Sequence, residues 1–293
     1  EKVIRILLGL GYNEVMTYSF ISPKAYDKIN LPKDSKLRDY IKLINPLGED
    51  YSVMRTTLVP TMLELLARNY NRGVESVYAF EIGNSFKPSI ESKDNLPKEE
   101  KVLSIGFYGD DDFYFLKETI EVLLARLGIR DLEYKREENS PTFHPGRTAR
   151  LLVDGRELGI LGEIHPDVCE NYDIKARVYI AQLNFDLIVQ LANFDIRYRP
   201  LPKYPAMVRD IAIIVDEDIL FGDIKNIVLE HGKDLVESVE IFDIYKGDQI
   251  PAGKKSIAFS ITYRSYERTL TDEEINEIQK AVIKDLEEKL DGK

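Results

Sequence analysis

A single cysteine, Cys169, stands in 293 residues, so an internal disulfide framework and a cysteine-rich zinc site are both excluded. Three histidines, His144, His165 and His231, are too few and too scattered for a histidine cluster. No uncharged apolar run approaches the roughly 20 residues of a membrane span. Basic excess is also missing: 40 Lys and Arg face 51 Asp and Glu, a net charge of −11. That balance excludes a nucleic-acid grip spread over the whole surface, while leaving room for a local one. The phosphate-loop, dinucleotide, zinc-protease and nucleophile-elbow motifs are absent. Nothing in the chain composes a nucleophile, a base and an oxyanion site, so no catalytic residue and no metal ligand is assigned.

What is present is ample apolar content, 44%, on a chain long enough for about two domains. The chain opens on Glu1-Lys2-Val3-Ile4, with neither an initiator Met nor a secretory leader, and is read as a piece of a longer protein in a reducing, cytoplasmic compartment. The clearest boundary is residues 194–205, where three prolines fall in six positions and disfavour both helix and central strand. This predicts a first domain over 1–193, a linker over 194–208 and a second domain over 209–293. The part from Pro200 onward is the more acidic, with 13 basic against 20 acidic residues.

In the first domain a helical stripe runs Val3, Ile4, Leu7, Leu8, Leu10. Strands are expected over 15–21, 40–44, 77–86 and 102–108. Helices are expected over 58–72 and 115–127, and a hairpin turns at Asp154-Gly155. The implied architecture is a largely antiparallel sheet with helices on one side. The apolar faces of the first helix and of helix 58–72 are expected to need a partner to cover them. The second domain reads β, α, β, β, α, with a capping box at Thr271 and Glu274, and fits a ferredoxin-like fold with its last strand missing or shortened.

Strand alternation divides the second domain's sheet into two faces. Ile211, Ile213, Val215, Ile257, Phe259, Ile261, Phe242 and Ile244 are expected to face the helices. Asp243, Tyr245, Ser256, Ala258 and Ser260 are then left on an open face, where an aromatic ring beside small residues leaves space for a flat ligand. Stacking of a base on such a ring is worth ~1–3 kcal/mol. Tyr245 reads either as such a platform or as an ordinary sheet-surface tyrosine. Arg197, Arg199, Lys203, Arg209, Lys246, Lys254, Lys255, Arg264 and Arg268 border this face, either to guide a phosphate backbone or as solvated strand ends. His165 and Cys169 share a helical spacing but supply only two ligands; His144-Pro-Gly-Arg147 reads as a turn.

Taken in order, several segments resemble a known family: Leu10-Gly-Tyr-Asn-Glu-Val-Met-Thr-Tyr-Ser-Phe20, Asn45-Pro-Leu47, Ser52-Val-Met-Arg-Thr-Thr-Leu-Val-Pro60, Asn69-Tyr-Asn-Arg-Gly73 and Phe80-Glu-Ile-Gly83. Phe143-His-Pro-Gly-Arg-Thr-Ala149 and Leu161-Gly-Glu-Ile-His-Pro166 continue the likeness, and Phe242-Asp-Ile-Tyr-Lys-Gly247, Lys255-Ser-Ile-Ala258 and Arg268-Thr-Leu-Thr-Asp-Glu-Glu274 close it. Together they are similar to the beta subunit of bacterial phenylalanyl-tRNA synthetase, in its catalytic-like domain and its ferredoxin-fold anticodon-binding domain.

The resemblance implies an α+β chain: a class II synthetase-like antiparallel sheet domain, inactive, followed by the anticodon-binding domain. Where an active class II enzyme carries Arg-x-Glu, this chain has Phe80-Glu81, and the Gly-rich third motif is missing too. It implies two partners, the alpha subunit and tRNA(Phe), and no membrane. No cofactor belongs to this chain; ATP and magnesium are expected in the complete heterotetramer. The residues that the likeness places at the tRNA are Tyr245, Asp243, Ser256, Ala258, Arg197, Arg199, Arg209, Lys254 and Lys255. Two alternatives stand beside it: a scaffold that never touches RNA, and a free-standing class II amino-acid-activating domain.

Overall fold

The computed structural model describes residues 1–89, 96–195, 198, 200–247, 249–290 and 292. The chain divides into two compact units, Glu1–Ile196 and Arg197–Lys293. Among the described residues no helix is long and apolar enough to cross a membrane.

The first unit begins with helix α1 (Lys2–Gly9), the short strands β1 (Asn13–Glu14) and β2 (Phe20–Ile21), and helix α2 (Lys24–Lys28). Strand β3 (Val53–Met54) and helix α3 (Val59–Tyr70) follow, then the long strands β4 (Val77–Lys87) and β5 (Lys98–Tyr108). Next come helix α4 (Phe113–Arg126), strands β6 (Leu132–Arg136), β7 (Phe143–Val153) and β8 (Arg156–Ile164), helix α5 (Pro166–Asn171), strand β9 (Tyr179–Asn184) and helix α6 (Phe185–Leu191). Seven strands form one sheet in the order β1-β4-β5-β9-β8-β7-β6, antiparallel except for the short β1–β4 pair. β2 and β3 pair separately.

Helices cover both faces of this sheet, not one. α1 and α4 bury Val3, Ile6, Leu7, Leu116, Ile120 and Leu123 against Leu103, Ile105 and Phe107. On the other face α3 and α5 bury Met62, Leu66, Val168 and Cys169 against Ala79, Tyr108 and Ile180. The reason lies in β5 and β9, whose residues are buried on both sides, as continuous apolar runs are when a sheet has two covered faces. The face of α3 is therefore closed within the chain, contrary to expectation, while α1 buries Val3, Ile6 and Leu7 and leaves Leu8 50% exposed. Other large exposed apolar side chains include Met16, Tyr18, Ile44, Leu47 and Tyr51. Residues 15–19 and 43–44 are not strand, and the expected strand at 40–44 shrinks to a bridge between Lys42 and Val53. Backbone groups of the first stretch are satisfied one at a time, Val15 N by Phe80 O and Ser19 O by Arg55 N.

Local chemistry sets the helix ends. Asp112 accepts from Tyr114 N and Phe115 N to start α4. Gly128 ends it at φ +76, the left-handed geometry of a helix C-terminus. Asn184 caps α6 and His165 caps α5. At the start of α3 the Leu58 side chain makes no cap; Thr57 Oγ1 accepts from Val59 N at 3.3 Å, and Gln182 of β9 accepts in turn from Thr57 Oγ1 (2.7 Å) and Leu58 N (2.9 Å).

The second unit holds strand β10 (Met207–Asp216), helix α7 (Phe221–Gly232), strands β11 (Val236–Tyr245) and β12 (Lys254–Tyr263), and helix α8 (Asp272–Leu290). The antiparallel sheet has the order β10-β12-β11, with three strands among the described residues. Ile211, Ile213, Val215, Ile257, Phe259 and Ile261 pack on Ile224, Val228, Ile275 and Val282 of the two helices. Only half of the capping box forms. Thr271 Oγ1 accepts from Glu274 N at 3.4 Å, but the Glu274 carboxylate takes two hydrogen bonds from Arg268.

Candidate nucleic-acid interface

Cross-strand register assembles the open face of the second unit row by row. Asp210 lies opposite Ser260 and Ser260 opposite Glu240; Ala212 opposite Ala258 and Ala258 opposite Asp243; Ile214 opposite Ser256 and Ser256 opposite Tyr245. Burial alternates in step along β10 and β12, the opposite set being sealed against the helices. Asp243, Tyr245, Ser256 and Ala258 thus share one surface, with the two small residues next to the carboxylate and the ring.

Tyr245 is 45% exposed. Its ring lies against Gly247: a Cβ there would fall 2.3 Å from the phenol oxygen. A side chain at 247 would displace the ring, so the glycine fixes where the platform sits. β11 is an edge strand, and its ladder shifts register between Ile241 and Asp243, leaving Phe242 in the bulge. Past that point the strand is uncovered. Phe242 and Ile244 were expected beneath the helices, but they are 61% and 52% exposed, because Val239 is the last residue of β11 that the helices bury.

The basic residues distribute differently from the expected border. Arg209 points to the helix side, where its guanidinium bonds Asp272 at the start of α8. Lys255 also lies on that side and donates to the backbone oxygens of Glu217 and Ile219 at 2.9 and 2.7 Å. Lys254 belongs to the open face and pairs with Asp216 at 3.1 Å. Arg264 is held by Glu237, Arg268 by Glu274 and Lys246 by Glu217. Arg197 and Arg199 lie outside the described residues. The open face itself is acidic, with Asp210, Asp216, Glu240 and Asp243; Asp210 accepts from Ser260 Oγ at 2.5 Å. Carboxylates on such a surface can accept hydrogen bonds from donor groups, and they disfavour phosphates. Alternation along β10 marks Asp210 for this face, whereas Glu240 reaches it only through the register shift between Ile241 and Asp243.

The first unit offers a polar row across the face beneath α3: Glu81, Ser104, Gln182, Ile160 and Arg150 lie on neighbouring strands in register. Apart from Ser104 Oγ, which is buried without a hydrogen-bond partner, its polar groups are spent internally. Glu81 is bonded to Arg55, Gln182 to the start of α3, and Arg150 to Glu137 and Glu157. A cleft of about 410 Å3 over this face has Lys87 and Arg150 among its walls. Lys87 is matched by Glu100 at 2.6 Å, and the carboxyl of Glu100, although burial works against its charge, is held below its ordinary range by Lys87 and Lys98. Among the described residues no group of three His, Cys, Asp or Glu side chains comes together to hold a metal. Cys169 is buried, and burial pushes its thiol up to about 11.

A second surface lies on the first unit, where Met16, Tyr18, Tyr51 and Leu65 line a cleft of about 410 Å3 with Glu64 and Arg68. The rings of Tyr18 and Tyr51 meet edge to face at 5.7 Å. Met16 is 96% exposed, and burial raises the Glu64 carboxyl above its ordinary value. These side chains form an exposed apolar patch on the first unit.

Comparison with known proteins follows the same division. Residues 1–185 match the family described as phenylalanyl tRNA synthetase beta chain CLM domain, and residues 202–293 match the ferredoxin-fold anticodon binding domain. The phenylalanine–tRNA ligase beta subunit of Clostridium acetobutylicum is 48% identical over 98% of this chain and 36% of its own length. That of Clostridium tetani is 49% identical over 99% of this chain and 36% of its own length. The chain therefore spans about a third of the length of the curated relatives it matches. Among solved structures, pyrrolysyl-tRNA synthetase from Desulfitobacterium hafniense superposes with a TM-score of 0.53 at 18% identity, covering 64% of this chain and 66% of that one. That likeness establishes a shared fold.

Proposed function

The chain belongs to the family of phenylalanine–tRNA ligase beta subunits, and on that premise we propose that it serves phenylalanine attachment to tRNA without doing the chemistry. Its second unit binds tRNA(Phe) at the anticodon, and its first unit assembles with the alpha subunit.

The observation that carries this reading is the register of β11 on β12, which sets Tyr245 beside Ser256 and Asp243 beside Ala258 on one open surface. A base stacks on the Tyr245 ring over the space left by the small residues. Asp243 and Ser256 hydrogen-bond its edge. Arg197, Arg199 and Lys254 attract the phosphate backbone; Arg209 and Lys255, on the opposite face of the sheet and bonded there, take no part. The cleft of Met16, Tyr18 and Tyr51 is the apolar surface offered to the alpha subunit. ATP and magnesium act in the complete assembly with that partner. The place of work is the cytoplasm.

Binding of an anticodon stem-loop to the chain at fixed salt tests the reading. Tyr245→Ala should weaken binding by ~1–3 kcal/mol, and Tyr245→Phe by much less, because the ring face remains. Equal affinity for all three proteins would leave Tyr245 an ordinary surface tyrosine and overturn the assignment. The activating alternative is tested separately: phenylalanine-dependent ATP–pyrophosphate exchange by the purified chain would refute a non-catalytic role.

A further inference from the structure

Where β7 begins and β8 ends, the first unit holds a cavity of about 670 Å3 that neither surface above uses. That volume is within the range of small-molecule sites, roughly 300–1,000 Å3. At its base lies Glu163, whose side chain is 5% exposed. Arg147 donates from Nη1 to both of its carboxylate oxygens, at 3.0 and 2.8 Å, and Nε of Arg177 stands 3.9 Å from one of them. The side chains of Arg147 and Arg177 are 42% and 66% exposed, which puts the carboxylate at the bottom and the guanidiniums at the mouth.

Two guanidiniums around one carboxylate leave a positive charge over, and Lys175 on the same wall adds another. The Glu163 carboxylate therefore acts as an anchor, holding guanidinium donors at the mouth before any ligand arrives. The turn that positions Arg147 is itself fixed, because Thr148 Oγ1 donates to His144 O and Gly146 N to His144 Nδ1.

The rest of the lining is of two kinds. Ile164, Cys169 and Ile174 are buried and make an apolar wall. Glu170 and Asp173 are exposed carboxylates on the rim. A simple anion uses only the guanidiniums and meets repulsion from the rim. A nucleotide uses all three parts: phosphate on Arg147 and Arg177, base on the apolar wall, and hydroxyl or exocyclic amino donors on Glu170 and Asp173.

We propose that this cavity is a nucleotide-binding site, taking either a free mononucleotide or a single nucleotide of an RNA strand. It is separate from the anticodon reading, since every residue invoked lies in the first unit.

The test is amide NMR of the whole chain, titrated in turn with AMP, inorganic phosphate, phenylalanine and a short oligoadenylate. AMP should shift the Arg147, Ile174 and Arg177 amides saturably. Arg177→Gln, at an exposed side chain, should weaken AMP binding about tenfold, the worth of one charge-assisted hydrogen bond, and Arg177→Lys should recover part of it. The Tyr245 amide reports any stacking in the second unit separately, so that binding there is not counted toward this cavity. Oligoadenylate tighter than AMP identifies RNA as the source, and AMP tighter identifies a free nucleotide; either supports the proposal. Unshifted amides with both nucleotides overturn it. So do shifts that persist unchanged in Arg177→Gln, or phosphate or phenylalanine binding as tightly as AMP.

Discussion

Arg55 and Glu81 meet at 2.8 Å, Nη2 to Oε1, with both side chains shut off from water. Arg55 also donates to Thr17 Oγ1 at 2.7 Å and to Asn84 O at 3.0 Å, while Thr17 Oγ1 donates to the other Glu81 oxygen at 2.6 Å. Three segments far apart in sequence are thereby joined at one buried point. Removing one partner strands the other charge. Glu81→Leu alone should cost about 3–5 kcal/mol, whereas the pair Arg55→Met with Glu81→Leu should recover much of that loss. Urea unfolding of the three proteins measures it, and a double variant no better than the single one would refute the account.

Gly128 follows α4 at φ +76, and a Cβ there would sit 1.8 Å from the carbonyl oxygen of Asn193. The backbone cannot yield easily, because Asn193 N donates to Leu127 O at 2.9 Å. Gly128→Ala should destabilise the first unit by more than about 1 kcal/mol, combining strained φ with a clash. Its denaturation midpoint should fall, with Gly155→Ala as a control for φ alone, since that glycine has open space around it.

Burial, helped by the Asp111 carboxylate 2.6 Å away, pushes the Tyr78 phenol up to about 12 from its ordinary 10.0. The folded chain favours the protonated phenol. Its contribution is fully present below pH 10 and is lost as pH rises through 12. Alkaline unfolding should therefore be less steep in Tyr78→Phe than in the wild type. Identical alkaline profiles would exclude Tyr78 as a source of the loss.

Asp243 shares the open face with Tyr245 but cannot attract phosphate. Asp243→Asn should change the ranking of stem-loops that differ at one base, while the slope of log affinity against log salt stays as in the wild type. A change in slope alone, with the ranking intact, would count against base readout by this carboxylate.

Legibility differed between the two units for physical reasons. In the second, Ile211, Ile213 and Val215 and the set Ile257, Phe259 and Ile261 alternate cleanly, and all are buried as alternation requires. The same rule misled at Phe242 and Ile244, because alternation gives direction and not cover, and an edge strand can outrun its helices. In the first unit β9 escaped notice: Tyr179, Ile180, Ala181 and Leu183 are buried on both faces and show no alternation to detect. β6 escaped for the opposite reason, as Glu133, Lys135 and Arg136 make an edge strand look like a loop.

The candidate site was partly open to the same reading. Tyr245, Asp243, Ser256 and Ala258 follow from counting along two strands. The fates of Arg209 and Lys255 do not, because their partners, Asp272 and the backbone of Glu217 and Ile219, are distant in sequence. The cavity around Glu163 announced itself only as the motifs Phe143-His-Pro-Gly-Arg147 and Leu161-Gly-Glu-Ile-His165, whose charged members pair across a register shift.

The side-chain carbonyl of Gln182 closes the first turn of α3 from 125 residues further along the chain, as counted to Thr57. Synthesis runs from the N-terminus, so α3 emerges long before the strand that completes it. Until β9 arrives, that end of the helix has only its local cap, Thr57 Oγ1 on Val59 N, and Leu58 N lacks its acceptor. Closure of so long a loop is a late step, and it delivers the last central strand and the missing cap together. Arrival of β9 between β5 and β8 therefore joins the two halves of the sheet and brings Gln182 to the start of α3 in the same step.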